Sequence, residues 1–328
     1  MRAVRIREAG GPEVLELHEV EAPVPGPGEV AVDVRCTALN RADLLQRRGR
    51  YPAPDGTRPE IPGLEYAGVV EAVGKGVDDA AVGRRVMGLV PGASYAERIV
   101  TPYDQTLPIP EGMDFERAAA IPEAFCTAWD ALRQADVAAG DRVLVHAAGS
   151  GVGTAALQLA RAMGAGRIFG TASAGKLSGI AELGLPLDVP VDYRSESFRE
   201  VVERETAGEG VDVILELVGA AYWADDVASL ARRGRLVLIG LMSGARAETD
   251  LATILRRRLR VIGTVMRTRS ATEKERLAAA ARERLLPWFA DGTLVPVVQR
   301  VFPLSDAARA HEFMEADRNL GKIVLRIS

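Results

Sequence analysis

The stretch that most limits what this chain can fold into runs from Val143 to Gly164 and reads VLVHAAGSGVGTAALQLARAMG. A short apolar run meets a cluster of small residues and then a helical pattern. A helix start exposes unpaired N–H groups and a positive charge of about half a unit. A pyrophosphate rests there only where no side chain blocks its approach. No window of the stretch reads G-x-G-x-x-G. The three positions that must be small are instead Ala148, Ser150 and Gly153, with Gly149 and Gly151 between them. A methyl, a hydroxymethyl and a hydrogen leave the turn open, and Ser150 adds a hydroxyl donor. Two rival readings are a tight strand–helix turn without a ligand and a nucleophile elbow, G-x-S-x-G, around Ser150. The elbow needs glycine where Ala148 and Val152 stand.

Strand and helix patterns alternate through the surrounding sequence. Strand candidates cover residues 142–146, 167–171, 211–217, 235–240 and 259–265, and helix candidates cover 153–163, 175–183, 197–205, 220–231 and 250–256. Continuous apolar strands such as VDVILELV and RLVLIG suit a parallel sheet covered on both faces. Right-handed crossovers then make a doubly wound fold, so the fold class is α/β. Upstream the chain is β-rich. EVAVDVRC alternates with period two, YAGVVEAVG, RRVMGLV and YAERIVTP look similar, and Pro/Gly-rich turns separate them. These segments predict an irregular barrel with one helix near residues 40–49. An amphipathic helix over 121–134 marks the change of rhythm. The tail runs helix, strand, helix, strand (EKERLAAAARERLLPWFADG, VPVVQRVF, SDAARAHEFMEAD, GKIVLRI) and is expected to fold back on the first domain. The expected division is 1–124, 125–266 and a return segment, 267–328.

With 328 residues, 48% hydrophobic and 26% charged, the chain has the makings of a globular protein of about two domains. Its net charge of −4 gives no electrostatic reason to expect nucleic acid or an anionic membrane. No apolar run approaches the roughly 18 residues of a membrane span, and MRAVRIREAGG lacks the apolar core of a signal peptide. Two cysteines, Cys36 and Cys126, form no disulfide framework, which suggests a reducing compartment and a cytoplasmic location.

An NAD site usually places a carboxylate about twenty residues beyond the glycine turn, to accept from the ribose 2′-hydroxyl. The segment here, RIFGTASAGKLSG, contains no acid and offers Ser173 and Lys176. A hydroxyl and a cation favour a 2′-phosphate, hence NADPH. Tyr193, in VDYRSESF after a third strand, can cover the same phosphate. Val218, the run Gly240, Leu241, Met242, Ser243 and the run Thr264, Val265, Met266 follow strands at the carboxyl edge, where such sheets bind ligands. Gly151 and Val152 accompany Ser150 at the helix start, and Asn319, before the last strand, is a weaker cofactor candidate.

The order of motifs resembles the medium-chain dehydrogenase/reductase superfamily, quinone oxidoreductase branch. The resemblance is carried by GPEVLEL, ALNRADLLQRRGRYP, IPGLEYAGVVEAVG, HAAGSGVGTAALQLA, the Ser173–Lys176 pair, VDVILELVG and GKIVL, over the length of the chain. GAAYW, GLMSG and MRTRS most resemble the tumour-suppressor-induced quinone oxidoreductase type. The resemblance implies a GroES-like catalytic domain around the Rossmann domain, NADPH, and a homodimer paired edge to edge through residues 259–265. It places an acceptor pocket near Asn40, Gln46 and Tyr51, and Thr127 near the nicotinamide end. Zinc-dependent relatives carry Cys at the position of Asn40 and His at that of Leu64. An amide and an isobutyl group cannot replace thiolate and imidazole, so no metal is expected.

Without a Lewis acid, the chemistry must suit hydride transfer with little electrophilic help. Quinones qualify, because their reduced products are aromatic. The expected function is therefore NADPH:quinone oxidoreductase, by one- or two-electron transfer. The alternatives are reduction of an activated C=C bond in an enal, enone or enoyl thioester, and a non-enzymatic NADPH- or RNA-binding role. The arginine run 256–260 reads as a solvated surface, His311 as a helix-face residue, Asp43 as a helix cap and Cys36 as a small buried apolar residue.

Overall fold

The computed structural model describes residues 1–54 and 56–327. The chain divides into two compact units, Met1–Cys126 with Met266–Ser328, and Thr127–Val265.

The first part of the chain contributes β1 (Arg2–Ile6), β2 (Leu15–Glu19), β3 (Glu29–Ala38), α1 (Arg41–Arg47), β4 (Glu65–Val73), β5 (Arg85–Leu89), β6 (Arg98–Pro102), β7 (Leu107–Pro108), α2 (Phe115–Ala119) and α3 (Pro122–Gln134). The alternation in β3 works as period two requires: Val30, Val32 and Val34 are buried in the unit's core beside Tyr66, Ile99 and Ile323. The pair β1–β2 and the short helix α2 lie outside the elements expected from sequence.

The second unit holds β8 (Arg142–Val145), α4 (Gly151–Ala162), β9 (Arg167–Ala172), α5 (Ala174–Glu182), β10 (Val189–Asp192), α6 (Phe198–Glu205), β11 (Val211–Glu216), α7 (Trp223–Ser229), β12 (Leu230–Leu238), α8 (Leu251–Arg257) and β13 (Arg260–Gly263). All neighbours are parallel, in the order β10-β9-β8-β11-β12-β13. This is the doubly wound order, which reverses beside β8 and leaves a crevice at the carboxyl ends of the strands. The helix expected over 220–231 is shorter, because the chain is already extended at Leu230. There β12 opens against Val211, and a register shift follows, with Arg233 at a φ of 67°.

The return segment supplies α9 (Ala271–Arg284), α10 (Leu286–Ala290), β14 (Val298–Pro303), α11 (Ala307–Glu315) and β15 (Lys322–Arg326). The single helix read over 273–292 is two, with Pro287 in the first turn of the second, where its missing N–H costs nothing. β15 pairs antiparallel with β3 and parallel with β14, so the tail completes the sheet β14-β15-β3-β4-β5-β7, with β6 on β3. Among the described residues, no helix is long and apolar enough to cross a membrane.

Candidate functional site

The turn after β8 is built for close approach. Ser150 caps α4, its Oγ accepting from Gly153 N at 2.9 Å while keeping its own proton to donate. The N–H groups of Gly151 and Val152 stand in the first turn, where the helix offers no acceptor. A Cβ on Gly153 would lie 2.3 Å from Ala147 O, so only glycine lets helix and strand pack this closely. The sequence reading started this helix at Gly153; the Ser150 cap starts it at Gly151.

At the end of β9, Ser173 precedes α5 and its side chain makes no cap hydrogen bond. The stem of Lys176 lies across Gly149, where an added Cβ would meet Lys176 Cδ at 2.8 Å. Tyr193 is half exposed, and its N–H donates to Ala172 O, which puts it beside the Ser173 turn. Arg194, which sequence reasoning passed over in VDYR, holds its guanidinium 5.8 Å from the Tyr193 ring. The tertiary structure thus gathers Ser150, Ser173, Lys176 and Tyr193 at adjoining strand ends of one sheet.

Farther along that edge, Glu216 at the end of β11 accepts from the N–H groups of Val218 and Gly219. The carbonyl of Val218 accepts from both the N–H and the hydroxyl of Ser243, and the same hydroxyl accepts from Ala221 N. Val218 and Ser243, expected to offer free groups to a ligand, spend their polar atoms on each other and fix the loop's shape. Leu241 and Met242 are half exposed, and Thr264 Oγ1 bonds Asp130 and Gln134. Thr127 Oγ1 is buried with no partner, the kind of orphan that a bound polar group satisfies.

Beneath this edge His146, Glu216 and Asp226 form a fully buried cluster, with His146 Nε2 2.7 Å from Asp226 and 3.6 Å from Glu216. Burial raises both carboxyls and lowers the imidazole to about 4.

The other unit holds the residues expected near an acceptor. Asn40 caps α1 in a box with Asp43, as the sequence reading of Asp43 anticipated. The amide of Asn40 is held at both ends, Nδ2 donating to Glu65 at 2.8 Å and Oδ1 accepting from Lys322 Nζ at 2.6 Å. Lys322 also reaches Glu65 at 2.7 Å and Leu39 O at 2.6 Å. Gln46 and Tyr51 converge instead on Arg267, which donates to Gln46 Oε1 at 2.7 Å, to Pro91 O at 2.7 Å and to Tyr51 O, with its guanidinium 4.9 Å from the Tyr51 ring. Arg267 and Met266 line a small cavity of about 20 Å³, room for one water, whose walls include Leu64, Val90, Glu123 and Lys274. Arg267 and Glu123 escaped the sequence reading, and MRTRS was the only hint of the arginine. Asn319 donates to Gly321 O and is spent on its own turn. His311, on α11, is buried between Arg47 and Tyr95, and Cys36 is buried with its thiol pushed up to about 12.

Residues 26–111 match the alcohol dehydrogenase GroES-like domain, and residues 185–325 match a model described as zinc-binding dehydrogenase. The synaptic vesicle membrane protein VAT-1 homolog of Homo sapiens is 32% identical over 99% of this chain and 86% of its own length. The chain belongs to the medium-chain dehydrogenase/reductase superfamily, in its quinone oxidoreductase branch. The family is NADP-binding. A mycocerosic acid synthase-like polyketide synthase of Mycobacterium tuberculosis is 36% identical over 99% of this chain, which spans 15% of that protein's length. Among solved structures, an NAD-dependent alcohol dehydrogenase superposes with a TM-score of 0.88 at 35% identity, each chain covered completely. An Escherichia coli quinone oxidoreductase complexed with NADPH gives 0.89 at 29% identity, again with both chains covered completely. The CurK enoyl reductase gives 0.87 at 29% identity, covering 100% of this chain and 99% of that one.

Two groups that this superfamily uses can be tested against these residues. NADPH fits: the α4 turn is open, Lys176 is seated on Gly149, the Ser173 segment has no acid, and Thr127 keeps an unpartnered hydroxyl. Zinc does not fit at Asn40 and Leu64, where the donors are an amide already bonded at both ends and an isobutyl group.

Proposed function

We propose that this chain is a zinc-independent, NADPH-dependent reductase of small quinones. The observation that carries the reading is the open α4 turn, with Lys176 seated on Gly149 and a Ser173 segment that holds no acid. When bound, NADPH supplies a hydride. The chain's part is to bind and orient it. Ser150, Gly151 and Val152 receive the pyrophosphate, and Ser173, Lys176 and Tyr193 receive the 2′-phosphate. Thr127 takes the nicotinamide end, while the loops of Val218, Gly240–Ser243 and Thr264–Val265 shape the floor. Gln46 and Tyr51 hold Arg267 in place, and Arg267 supplies the cation that faces charge developing on the acceptor. Asn40 keeps the α1 turn rigid.

Reduction of activated C=C bonds is the second reading, supported by similarity to the CurK enoyl reductase and the mycobacterial polyketide synthase. A panel of ortho-quinones, para-quinones and enones, each with NADPH and NADH, separates the two. NADPH consumption only with enones would replace the first reading by the second. Consumption with none would remove both.

The reading extends to a cytoplasmic homodimer. Its supports are two cysteines outside any disulfide and the edge strand β13, where Val261 is 43% exposed. Light scattering at micromolar concentration checks it, with a dimer expected and a monomer from Val261→Lys.

A further inference from the structure

We propose that Ser243 is a positioning residue for the coenzyme, its hydroxyl clasping the segment after β12 to the loop after β11 so that one wall of the crevice is shaped before the coenzyme arrives. The proposal rests on the NADPH reading above and concerns the unit Thr127–Val265 alone.

The loop after β11 is held on two sides. From the sheet, the Glu216 carboxyl accepts from Val218 N and Gly219 N. From the other side, Ser243 Oγ accepts from Ala221 N at 2.9 Å and Gly244 O accepts from Ala220 N at 3.1 Å. Four successive N–H groups, from Val218 to Ala221, are thus spent on the protein. The α4 turn keeps N–H groups for an anion; this loop contributes shape.

The segment after β12 has no such support of its own. Residues 241–250 are all exposed and form no helix or strand. A short set of bonds ties the segment to its neighbour. Ser243 N and Ser243 Oγ both donate to Val218 O, at 2.7 and 2.8 Å, and Trp223 Nε1 donates to Thr249 Oγ1 at 2.8 Å. The two backbones approach so closely that a Cβ on Gly219, at a φ of 96°, would stand 2.7 Å from Gly244 O and 3.0 Å from Leu241 Cα. Without the clasp, a segment this exposed samples many conformations, and a ligand that needs one of them binds more weakly in proportion to its population. The Ser243 hydroxyl supplies a donor and an acceptor at once. Alanine there keeps only the backbone bond.

The clasp lies at the carboxyl ends of β11 and β12, and β11 is the neighbour of β8, which leads into the α4 turn. A dinucleotide crosses a doubly wound sheet along this edge. The clasped segment brings Leu241 and Met242, both half exposed, as apolar surface for the uncharged end of the coenzyme. The α4 turn and Lys176 answer to charge, whereas the clasp answers to shape. Loss of the Ser243 hydroxyl therefore acts alike on coenzymes with and without a 2′-phosphate.

The test uses the full chain with Ser243→Ala, Ser243→Thr and Gly219→Ala, and follows coenzyme binding by stopped-flow fluorescence. Ser243→Ala should raise the dissociation constants of NADPH and NADH equally, by about 5- to 10-fold, the worth of one lost hydrogen bond. The loss should fall on the association rate and leave the dissociation rate within about 2-fold, because a smaller share of the chain is ready to bind. Ser243→Thr keeps the hydroxyl and should bind as the unaltered chain does. Gly219→Ala wedges the clasp from the other side and should reproduce the slower association. The Tm of Ser243→Ala should stay within about 2 °C, as at other exposed positions. Unchanged dissociation constants in Ser243→Ala would overturn the proposal alone. So would a loss confined to NADPH, or one carried by faster dissociation, since both are marks of direct contact. Binding of neither coenzyme by the unaltered chain would overturn the NADPH reading and this proposal with it.

Discussion

The side chain of Lys176 crosses the backbone of Gly149 so closely that a Cβ at residue 149 would stand 2.8 Å from Lys176 Cδ and 3.0 Å from Lys176 Cβ. The glycine turn and the cation are therefore one structural device. Lys176→Ala is expected to weaken NADPH about 10- to 100-fold, or roughly 1.4–2.8 kcal/mol, and NADH less than about 3-fold. Gly149→Ala, by moving the lysine, should reproduce part of that selectivity loss. Fluorescence titration of both coenzymes checks it, and equal losses would remove the 2′-phosphate role.

Gly153 answers to a harder constraint. Its added Cβ would meet the Ala147 carbonyl oxygen at 2.3 Å and Ala148 C at 2.7 Å, both backbone atoms that cannot swing aside. Gly153→Ala should cost about 3 kcal/mol of stability, read by denaturant unfolding. A loss below about 0.5 kcal/mol would mean that α4 can shift freely.

The cluster of His146, Glu216 and Asp226 makes stability depend on pH in two senses. Glu216 and Asp226 are raised by burial above their ordinary 4.5 and 3.8. Their contribution is full below those ordinary values and is lost as pH climbs from there through the folded values of about 8 and 7. His146 is lowered from 6.5 to about 4, so its contribution is present above 6.5 and lost as pH falls toward 4. Glu216→Gln retains an acceptor for Val218 and Gly219 and gives Asp226 a donor that does not titrate. The decline in Tm between about pH 6.5 and 8 should flatten in that variant.

Lys322 is 4% exposed and faces a Glu65 that is wholly buried. Lys322→Met removes three hydrogen bonds and strands the carboxylate, at an expected cost of about 3–5 kcal/mol. Adding Glu65→Gln should recover part of that loss in a double-mutant cycle. Strict additivity would show that the two do not interact.

Arg267 spreads its donors over Pro91 O, Tyr51 O and Gln46 Oε1, a fork that lysine cannot imitate. Arg267→Lys should raise KM for the acceptor about 10-fold, corresponding to the loss of one charge-assisted hydrogen bond, and leave the NADPH dissociation constant unchanged. Steady-state kinetics beside coenzyme titration separates the two quantities.

The alternation of strands and helices between residues 142 and 265 was readable because periodicity is local: each apolar run reports its own burial. The same logic blurred where local signals are weak. VPVD, which becomes β10, carries a proline and an acid in four residues and received no bounds. Arg232 and Arg233 masked the early start of β12. Ser150, Ser173 and Lys176 were legible as chemistry, since the choice of a hydroxyl and a cation over an acid needs no coordinates to interpret.

Sequence alone determined the α/β class, the open glycine turn and the absence of zinc donors at Asn40 and Leu64, because each is a property of a residue type within a short window. Only the tertiary structure decided that Lys176 rests on Gly149, that Lys322 holds Glu65 and that Glu123 and Arg267 face one cavity. Those partners are far apart along the chain, and no periodicity encodes their meeting. They are set by which strands pair and which helices pack, and burial then turns ordinary acids and bases into partners.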